Sequence, residues 1–210
     1  EKDTPIRGSI NLYGGSIFID RALTSTSGDI YLDADTGSML ARDRSGVYMR
    51  DANAIVQTQA QDLIAGAIGD ITIVGRGGDL SSSPELSGSV PGVYVRNGAT
   101  VIANGNGNID ITGYGGVASQ AGDSVGVLIS MSDPDQYTPS VVSTINGDIT
   151  ITGTGGGPVD SERNVGVYVR SFARVAAGGA GNVTISGTAG GDSTGSDNYG
   201  VLVRNANSAS

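Results

Sequence analysis

Gly147-Asp148-Ile149-Thr150-Ile151-Thr152-Gly153-Thr154-Gly155-Gly156 is a short alternating segment enclosed by glycines. Its β-branched residues favour a strand, and the alternation of isoleucine with threonine indicates that one face of the strand is buried. The segment recurs along the chain with the same leading glycine, in most copies followed by Asp or Asn. These copies, which we name the C strands, begin at Gly8, Gly28, Gly69, Gly107, Gly147 and Gly181.

A second alternating motif lies between successive C strands, and its clearest copy is Gly92-Val93-Tyr94-Val95-Arg96. We name its copies the A strands. They begin at Gly15, Gly46, Gly92, Gly126, Gly166 and Gly200, of which the first is the weakest. A less regular β-prone segment, the B strand, follows four of the A strands, at residues 54–56, 100–102, 140–142 and 174–176.

The spacing of the A strands predicts the architecture. Their glycines are 31, 46, 34, 40 and 34 residues apart, and the excess residues lie between strands, never within one. Insertions confined to turns are typical of a solenoid, because its loops face solvent. Three short strands in each repeat therefore predict an all-β chain that folds as a parallel β-helix (β-solenoid), with about five three-strand coils of 31–46 residues.

Stacking of the coils in register makes two further predictions. Apolar positions should form ladders, with Val93 between Val47 and Val127, and with Ile109 between Ile71 and Ile149. The glycine clusters that follow the C strands are expected to adopt positive φ, so that the chain can leave each strand sharply.

The whole chain, residues 1–210, is expected to form a single β-solenoid segment, with clear repeats over 46–204 and less regular ones over 1–45. The longest insertions fall at residues 59–68, 81–89 and 131–139. The chain begins in a C strand, ends after an A strand and shows no polar terminal repeat of the kind that caps solenoids. We therefore expect a fragment of a longer repeat array.

Composition excludes several classes of protein. The 210 residues include 35 glycines, no cysteine, no histidine and no tryptophan, and the net charge is −9. Without Cys and His, the chain has no disulfide framework, no Ser-His-Asp triad and no thiolate or imidazole metal site. The acidic charge argues against nucleic acid as a partner. No apolar run is long enough for a membrane-spanning helix, so no membrane insertion of this segment is expected.

The combined pattern resembles the repeats of bacterial giant exoproteins, namely filamentous-haemagglutinin-like and autotransporter adhesin passengers. The residues that carry the resemblance are the A strand, a polar turn, the B strand and the C strand with its glycines. They cover about residues 8–204, and most clearly 92–204. The resemblance implies a right-handed parallel β-helix that is exported to the cell surface as an adhesin, spacer or fibre. It implies no catalytic residues.

We therefore expect a structural or adhesive segment of a secreted bacterial surface protein, a β-helical stalk or fibre for cell adhesion, and not an enzyme. Its location would be extracellular, at the bacterial cell surface. Its partners would be a host or neighbouring cell surface, through a glycan or protein ligand, or further copies of itself. The alternative is a carbohydrate-binding or polysaccharide-degrading β-helix. Glycoside hydrolysis needs only two carboxylates, for which Asp43, Asp51 and Asp62 are the candidates.

Outward positions of the A strands form a candidate face for a partner or a glycan. One outward position carries tyrosine in several coils, and another carries arginine. The residues are Tyr48, Tyr94, Tyr168, Arg50, Arg96, Arg170 and Arg204. Such a stripe would bind acidic sugars or a protein by stacking and by bidentate hydrogen bonds. The alternative is that these side chains only cover the sheet and pair with loop carboxylates.

Other polar positions also allow two interpretations. The Asp or Asn before each C strand, at positions 29, 70, 108, 148 and 182, is expected to bond its own backbone, as Asx residues in turns do. The alternative is a ladder of side-chain hydrogen bonds between coils. The columns of outward threonines on the C strands are interrupted by Asp110 and Val74. This interruption indicates that the threonines are ordinary exposed strand residues and do not form an ice-binding face. No cofactor is expected, and calcium at Gly191-Asp192-Ser193 with Asp197 is the one candidate.

Overall fold

The protein folds into three parallel β-sheets stacked in register. The structure, a computed structural model, describes residues 8–35, 45–59, 69–82, 88–117, 123–131, 138–157, 163–191 and 197–204. These described residues form 17 strands and no helix. The sheets contain six, six and five strands, an arrangement consistent with a right-handed parallel β-helix of about five coils. The predicted all-β solenoid is confirmed.

Each sheet takes one strand from each coil, in chain order. The C strands are β1 (Ile10–Tyr13), β4 (Ile30–Ala34), β7 (Ile71–Arg76), β10 (Ile109–Tyr114), β13 (Ile149–Thr154) and β16 (Val183–Thr188). The A strands are β2 (Ile17–Ile19), β5 (Val47–Arg50), β8 (Val93–Arg96), β11 (Val127–Ser130), β14 (Val167–Arg170) and β17 (Val201–Arg204). The B strands are β3 (Ala22–Ser25), β6 (Ile55–Thr58), β9 (Thr100–Ala103), β12 (Val141–Thr144) and β15 (Arg174–Ala177).

The core consists of the predicted aliphatic ladders. Ile109 pairs with Ile71 on one side and with Ile149 on the other. In the sheet of A strands, Val93 lies in the same way between its counterparts in the neighbouring coils. All these side chains are fully buried. Since full burial of one aliphatic side chain contributes about 1.5–3 kcal/mol, the ladders bind each coil to the next.

Glycines allow the backbones of neighbouring coils to approach too closely for a side chain. A Cβ on Gly147 would lie less than 3.0 Å from the carbonyl oxygen of Gly107 in the preceding coil, and a Cβ on Gly107 would meet Gly69 in the same way. Within the C strands, a Cβ on Gly153 would meet the carbonyl oxygen of Gly166. These columns explain why glycine returns at fixed positions in every repeat.

The expectation that the glycine clusters after the C strands adopt positive φ is wrong. The glycines of these clusters all lack a positive φ, and they are Gly75, Gly77, Gly78, Gly113, Gly115, Gly116, Gly153, Gly155, Gly156, Gly187 and Gly190. Instead, a Cβ on Gly156 would collide with the backbone of Gly115 and Gly116, and a Cβ on Gly190 would collide with that of Gly156. Steric contact between coils, not backbone conformation, selects glycine at these positions.

Residues 8–35 follow the repeat more closely than their sequence suggests. The weak A copy forms β2, and the copies of the C strand on either side form β1 and β4. Between them, β3 is a B strand that the sequence pattern does not reveal, because Ala-Leu-Thr-Ser lacks the apolar β-branched residues of the other B strands. Its Ala22 pairs with Ile55 of β6, and Leu23 packs against the core.

The insertions predicted between strands lie mostly outside the described residues, at 60–68, 83–87 and 132–137. The strands on either side of them keep their register with the neighbouring coils. No strand of the described residues is interrupted by an insertion. Extra residues are therefore accommodated without a change in the stacking.

The final described strands are less covered than their counterparts. Val201 and Val203 of β17 are 40% and 71% exposed, whereas Val167 and Val169, their partners in β14, are buried. Among the described strands, β15, β16 and β17 are terminal members of their sheets, as β1, β2 and β3 are at the other end.

Candidate ligand-binding faces

The outward tyrosines of the A strands lie beneath a second layer of side chains. Tyr94 and Tyr168 are 9% and 7% exposed, and Leu128, their counterpart in the intervening coil, is fully buried. They pack with Val125 and Val165, which lie just before two of the A strands. A small second core therefore covers this column on the outer side of the sheet.

The accessibility of the candidate tyrosines differs along the column. Tyr94 and Tyr168 have too little exposed surface for a ligand to stack on their rings. Tyr48, at the start of the column, is partly exposed and stacks on Tyr94 with ring centroids 5.4 Å apart. The ring of Phe18 lies 5.5 Å from that of Tyr48 and is half exposed. The side chains of Tyr94 and Tyr168 point outward from their strands but are not accessible to solvent, because the segments that lead into the A strands fold over this face of the sheet.

Two of the outward arginines contact the tyrosine column. The guanidinium of Arg96 lies 5.4 Å from the ring centroid of Tyr94, and its Nη1 donates a hydrogen bond of 3.2 Å to the hydroxyl of Tyr48. Arg170 lies over Tyr168 at 5.1 Å. Cations placed over aromatic rings in this way are attracted by the electron density of the ring. These two arginines therefore help to close the outer layer.

The arginines at the ends of the stripe are more exposed. Arg50 lies over Phe18 at 5.5 Å and pairs with Asp51, with 3.2 Å between Nε and Oδ2. Arg204 is exposed. The contacts of Arg50, Arg96 and Arg170 thus agree with the interpretation that these side chains cover the sheet and pair locally. Binding of a glycan or a protein to this face stays a prediction.

The Asp and Asn residues before the C strands form a ladder of hydrogen bonds along the stack. The Oδ1 of Asp29 accepts from the backbone amide of Asp70 at 2.9 Å, and the Oδ1 of Asp70 accepts from that of Asn108 at 2.7 Å. The same bond joins Asn108 to the amide of Asp148 at 2.9 Å, and Asp148 to the amide of Asn182 at 2.7 Å. Each side chain therefore binds the backbone of the following coil.

The expectation that these Asx residues bond their own backbone is wrong, and the alternative of a ladder between coils is right. Strands in adjacent coils are only about 4.8 Å apart, so a short Asp or Asn side chain reaches the equivalent amide of the next coil. At the start of the ladder the hydroxyl of Ser9 takes the same role and accepts from the amide of Asp29 at 3.2 Å. Side chains thus add a fourth hydrogen-bonded column to the three sheets.

A shallow depression of about 420 Å³ lies on the outer face of the first C strands. Its lining combines aromatic, amide, hydroxyl and carboxylate groups, from Ser9, Asn11, Tyr13, Asp29, Ile30, Tyr31, Asp70 and Thr72. The rings of Tyr13 and Tyr31 lie 5.6 Å apart at an angle of 46°. Tyr13 is 64% exposed. Neither tyrosine was among the residues expected at a site, although both occupy outward positions on neighbouring C strands.

Hydrogen bonds beside the depression restrain Tyr31, one of its lining residues. The hydroxyl of Tyr31 donates to Oδ2 of Asp33 at 3.3 Å, and Oδ1 of Asp33 accepts from the backbone amide of Asp35 at 2.9 Å. Partial burial and the negative charge of Asp33 raise the pKa of the Tyr31 phenol above its ordinary value. The orientation of the Tyr31 ring is thereby restrained.

The charged side chains that line the depression are both acidic, Asp29 and Asp70. The Oδ1 atom of each accepts a backbone hydrogen bond of the ladder, and the Oδ2 atom of each has no partner among the described residues. No cationic side chain is among the described lining residues. Farther along the same face, Arg76 pairs with Asp35 and lies 4.4 Å from the ring centroid of Tyr114. The hydrogen bond to Asp35 raises the pKa of Arg76. The positive charge of Arg76 is therefore paired with the carboxylate of Asp35.

The threonines of the C strands are in register but do not form a continuous array. Asp110 separates Thr72 from Thr150 in one column. Val74 precedes Thr112 in the neighbouring column. The face therefore lacks the regular pattern of hydroxyls on which an ice-binding surface would depend.

The acidic candidates for calcium or for hydrolysis are only partly described. Four residues lie outside the described part of the chain: Asp43, Asp62, Asp192 and Ser193. Asp51 pairs with Arg50, and Asp197 accepts a hydrogen bond of 3.4 Å from the hydroxyl of Tyr199. Within the described ranges, no group of three or more acidic side chains is placed to hold a metal ion. The absence of a cofactor, with calcium as the one candidate, and the absence of enzymatic activity stay predictions.

The fold places the chain among the parallel β-helix repeat proteins. Comparison with known proteins found no matching family model, no similar curated protein and no similar solved structure. The resemblance to bacterial exoproteins therefore depends on the repeat pattern alone. No helix long and apolar enough to cross a membrane occurs in the described part of the chain.

Proposed function

We propose that this β-helix is a structural or adhesive segment of a secreted bacterial surface protein, a stalk or fibre that serves cell adhesion outside the cell. The observation that carries the proposal is the in-register stacking of all three sheets through the described coils. Each coil hydrogen-bonds to the next along every strand, which makes a rod whose length grows with the number of repeats. Such a rod suits the separation of a binding region from the cell.

Three features of the described coils support a mechanical role. The aliphatic ladders are continuous, the Asx ladder joins consecutive coils, and the glycine columns bring their backbones into contact. All three couple neighbouring coils, as in other solenoids, where stability is the sum of repeat and interface contributions. The rod therefore needs no disulfide, in agreement with a chain that has no cysteine.

The proposed partners are a host or neighbouring cell surface, through a glycan or protein ligand, and further copies of the same protein. Self-association belongs to the proposal because strands of this chain already pair in register from coil to coil, and equivalent strands of another copy have the same chemistry. Size-exclusion chromatography with light scattering checks this point. An oligomer would support self-association, whereas a strictly monomeric parent protein would contradict it.

Localisation tests the proposal directly. Antibodies raised against the protein should label intact bacteria that encode it, and in-frame deletion of its coding segment should reduce adhesion to host or neighbouring cells. Antibodies against a cytoplasmic protein serve as the control, because they should label only permeabilised cells. Labelling by the first antibodies only after permeabilisation would contradict a surface location.

The alternative, a carbohydrate-binding or polysaccharide-degrading β-helix, divides into two cases. A reducing-sugar assay over neutral and acidic polysaccharides detects degradation, and we expect no turnover above a heat-denatured control. Sustained turnover that is lost on substitution of an aspartate by asparagine would favour the enzyme. Carbohydrate binding without cleavage is compatible with a stalk that also adheres.

A further inference from the structure

We propose that the depression on the outer face of β1, β4 and β7 binds a neutral carbohydrate. The site lies on a different face from the arginine and tyrosine stripe of the A strands. This binding site would be a function additional to that of a stalk. It does not depend on the proposed function, because a β-helix could carry the site wherever the protein is located. Its residues are Asn11, Tyr13, Asp29, Tyr31, Asp70 and Thr72.

The aromatic pair supplies a platform for the apolar face of a sugar ring. Tyr13 is 64% exposed and occupies an outward position on β1, where its ring is not part of the core. Its ring lies 5.6 Å from that of Tyr31 and is tilted by 46°, so the two rings form an angled surface. Dispersion and hydrophobic contact would hold C–H groups of a ligand on this surface.

The polar groups around the platform match the hydroxyl groups of a sugar. The free Oδ2 atoms of Asp29 and Asp70 accept hydrogen bonds, and the side-chain amide of Asn11 both donates and accepts. The ladder holds Oδ1 of each carboxylate at 2.7–2.9 Å from a backbone amide, which orients the second oxygen in advance. Preorganisation of this kind reduces the entropy lost on binding. The volume of about 420 Å³ lies within the range of small-molecule sites.

The charge of the site selects the class of glycan. The described lining contains two carboxylates and no cation, and the chain as a whole has a net charge of −9. A sialylated, uronic-acid or sulfated glycan would bring a negative charge beside these carboxylates and be repelled. A neutral oligosaccharide pays no such cost and donates its hydroxyl protons to the carboxylates. The arginines of the A strands would instead favour an acidic glycan. The charge of a glycan that binds therefore indicates which of the two faces it occupies.

A glycan array tests the class of ligand. The array should contain neutral cello-, manno- and chito-oligosaccharides beside sialylated and sulfated glycans, and we expect signal on a neutral set only. Calorimetric titration with the neutral oligosaccharide that gives the strongest signal then measures the affinity. Tyr13→Ala should weaken binding by about tenfold or more, as expected for loss of an aromatic anchor. Asp70→Asn keeps an Oδ1 acceptor for the ladder and should also weaken binding.

Matched controls separate binding from folding. Tyr199→Ala removes a tyrosine that is also exposed, at 44%, but lies outside the depression, and its affinity should equal that of the parent protein. Thermal unfolding of Tyr13→Ala should equal that of the parent, because its ring is mostly exposed. An absence of neutral-glycan binding, a preference for acidic glycans, or full affinity in Tyr13→Ala would each overturn the site. Since surface labelling of cells is independent of these measurements, failure of the site and failure of the proposed function are distinguishable.

Discussion

The Oδ1 atom of Asp148 accepts a hydrogen bond of 2.7 Å from the backbone amide of Asn182, which lies one coil farther along the stack. The side-chain nitrogen of Asn182 donates to the same oxygen at 3.2 Å. Neither bond belongs to a β-sheet, and both cross between coils. This relationship shows that Asx residues at the start of the C strands act on the neighbouring repeat, so their effect on stability is a property of the interface between coils.

Asp148→Ala removes the acceptor of two hydrogen bonds and should lower the free energy of unfolding by about 1–2 kcal/mol, since one hydrogen bond has a usual net value of about 1 kcal/mol. For a chain of this size that is a fall of about 2–8 °C in Tm. Asp148→Asn retains an oxygen acceptor at Oδ1 and should lose less than half as much. Thermal unfolding followed by circular dichroism measures both. Equal losses in the two variants would show that the charge, and not the acceptor, matters at this position.

Gly147→Ala should be more damaging than any change on the surface. The added Cβ would lie less than 3.0 Å from the carbonyl oxygen of Gly107, which is backbone and has no freedom to move aside. We expect a loss of at least about 2 kcal/mol, because overpacking against fixed atoms forces the coils apart. Gly14→Ala is the control, since its Cβ would meet only backbone atoms of Ser16 at an ordinary 3.4 Å or more. Comparable Tm values for the two variants would contradict the close approach of the coils.

The architecture could be predicted from the sequence because it follows from features that repeat. The alternation in Ile149-Thr150-Ile151 defines the buried face of a strand, and the spacing of the glycines defines the coil. Properties that depend on neighbouring coils were not predictable in the same way. The bond from Asp148 to Asn182 arises only once the separation of the coils is known. The burial of Tyr168 likewise depends on where the segment around Val165 crosses the sheet.

The candidate site was less predictable than the fold for a physical reason. A column of identical side chains, such as the tyrosines of the A strands, is easily recognised, but repetition is also a sign of packing. The depression around Tyr13 and Tyr31 lies where the sequence of the repeat is least regular, although the strands there keep their register, so no periodic signal in the sequence marks it. A useful signal would have been two outward aromatic residues on neighbouring C strands, with an Asx residue before one of them.

Ile149→Asp should disrupt folding of its own coil and of both neighbours. Ile149 is fully buried between Ile109 and Val183, and an unpaired carboxylate in this position is strongly unfavourable. Thr152→Asp places the same side chain on an exposed position of the same strand and should change stability by no more than about 0.5 kcal/mol. Urea unfolding measures both. A cooperative transition of normal stability in Ile149→Asp would overturn the register of the sheet of C strands.

The carboxylate of Asp79 should titrate at a lower pH than an ordinary aspartate. Hydrogen bonds from the side chain and from the backbone amide of Ser81, the latter 2.8 Å long, lower the pKa of Asp79 because they favour its charged form. Its stabilising contribution is therefore present above the unfolded pKa of about 4 and is lost as the pH falls through the lower folded value. Carbon-13 NMR of the side-chain carboxyl measures the titration. Ser81→Ala should bring the midpoint closer to that of an unfolded chain, and an unchanged midpoint would contradict the assigned cause.

Tyr168→Ala tests whether the tyrosines of the A strands are structural. Tyr168 is 7% exposed and packs with Val165 in the second core, so removal of its ring should leave a cavity and cost about 3–5 kcal/mol. Tyr199→Ala removes the same ring from a position 44% exposed and should change stability by about 0.5 kcal/mol or less. Denaturant unfolding of the two variants gives the difference. A small loss in Tyr168→Ala would mean that the packing of Tyr168 against Val165 and its neighbours contributes little to stability.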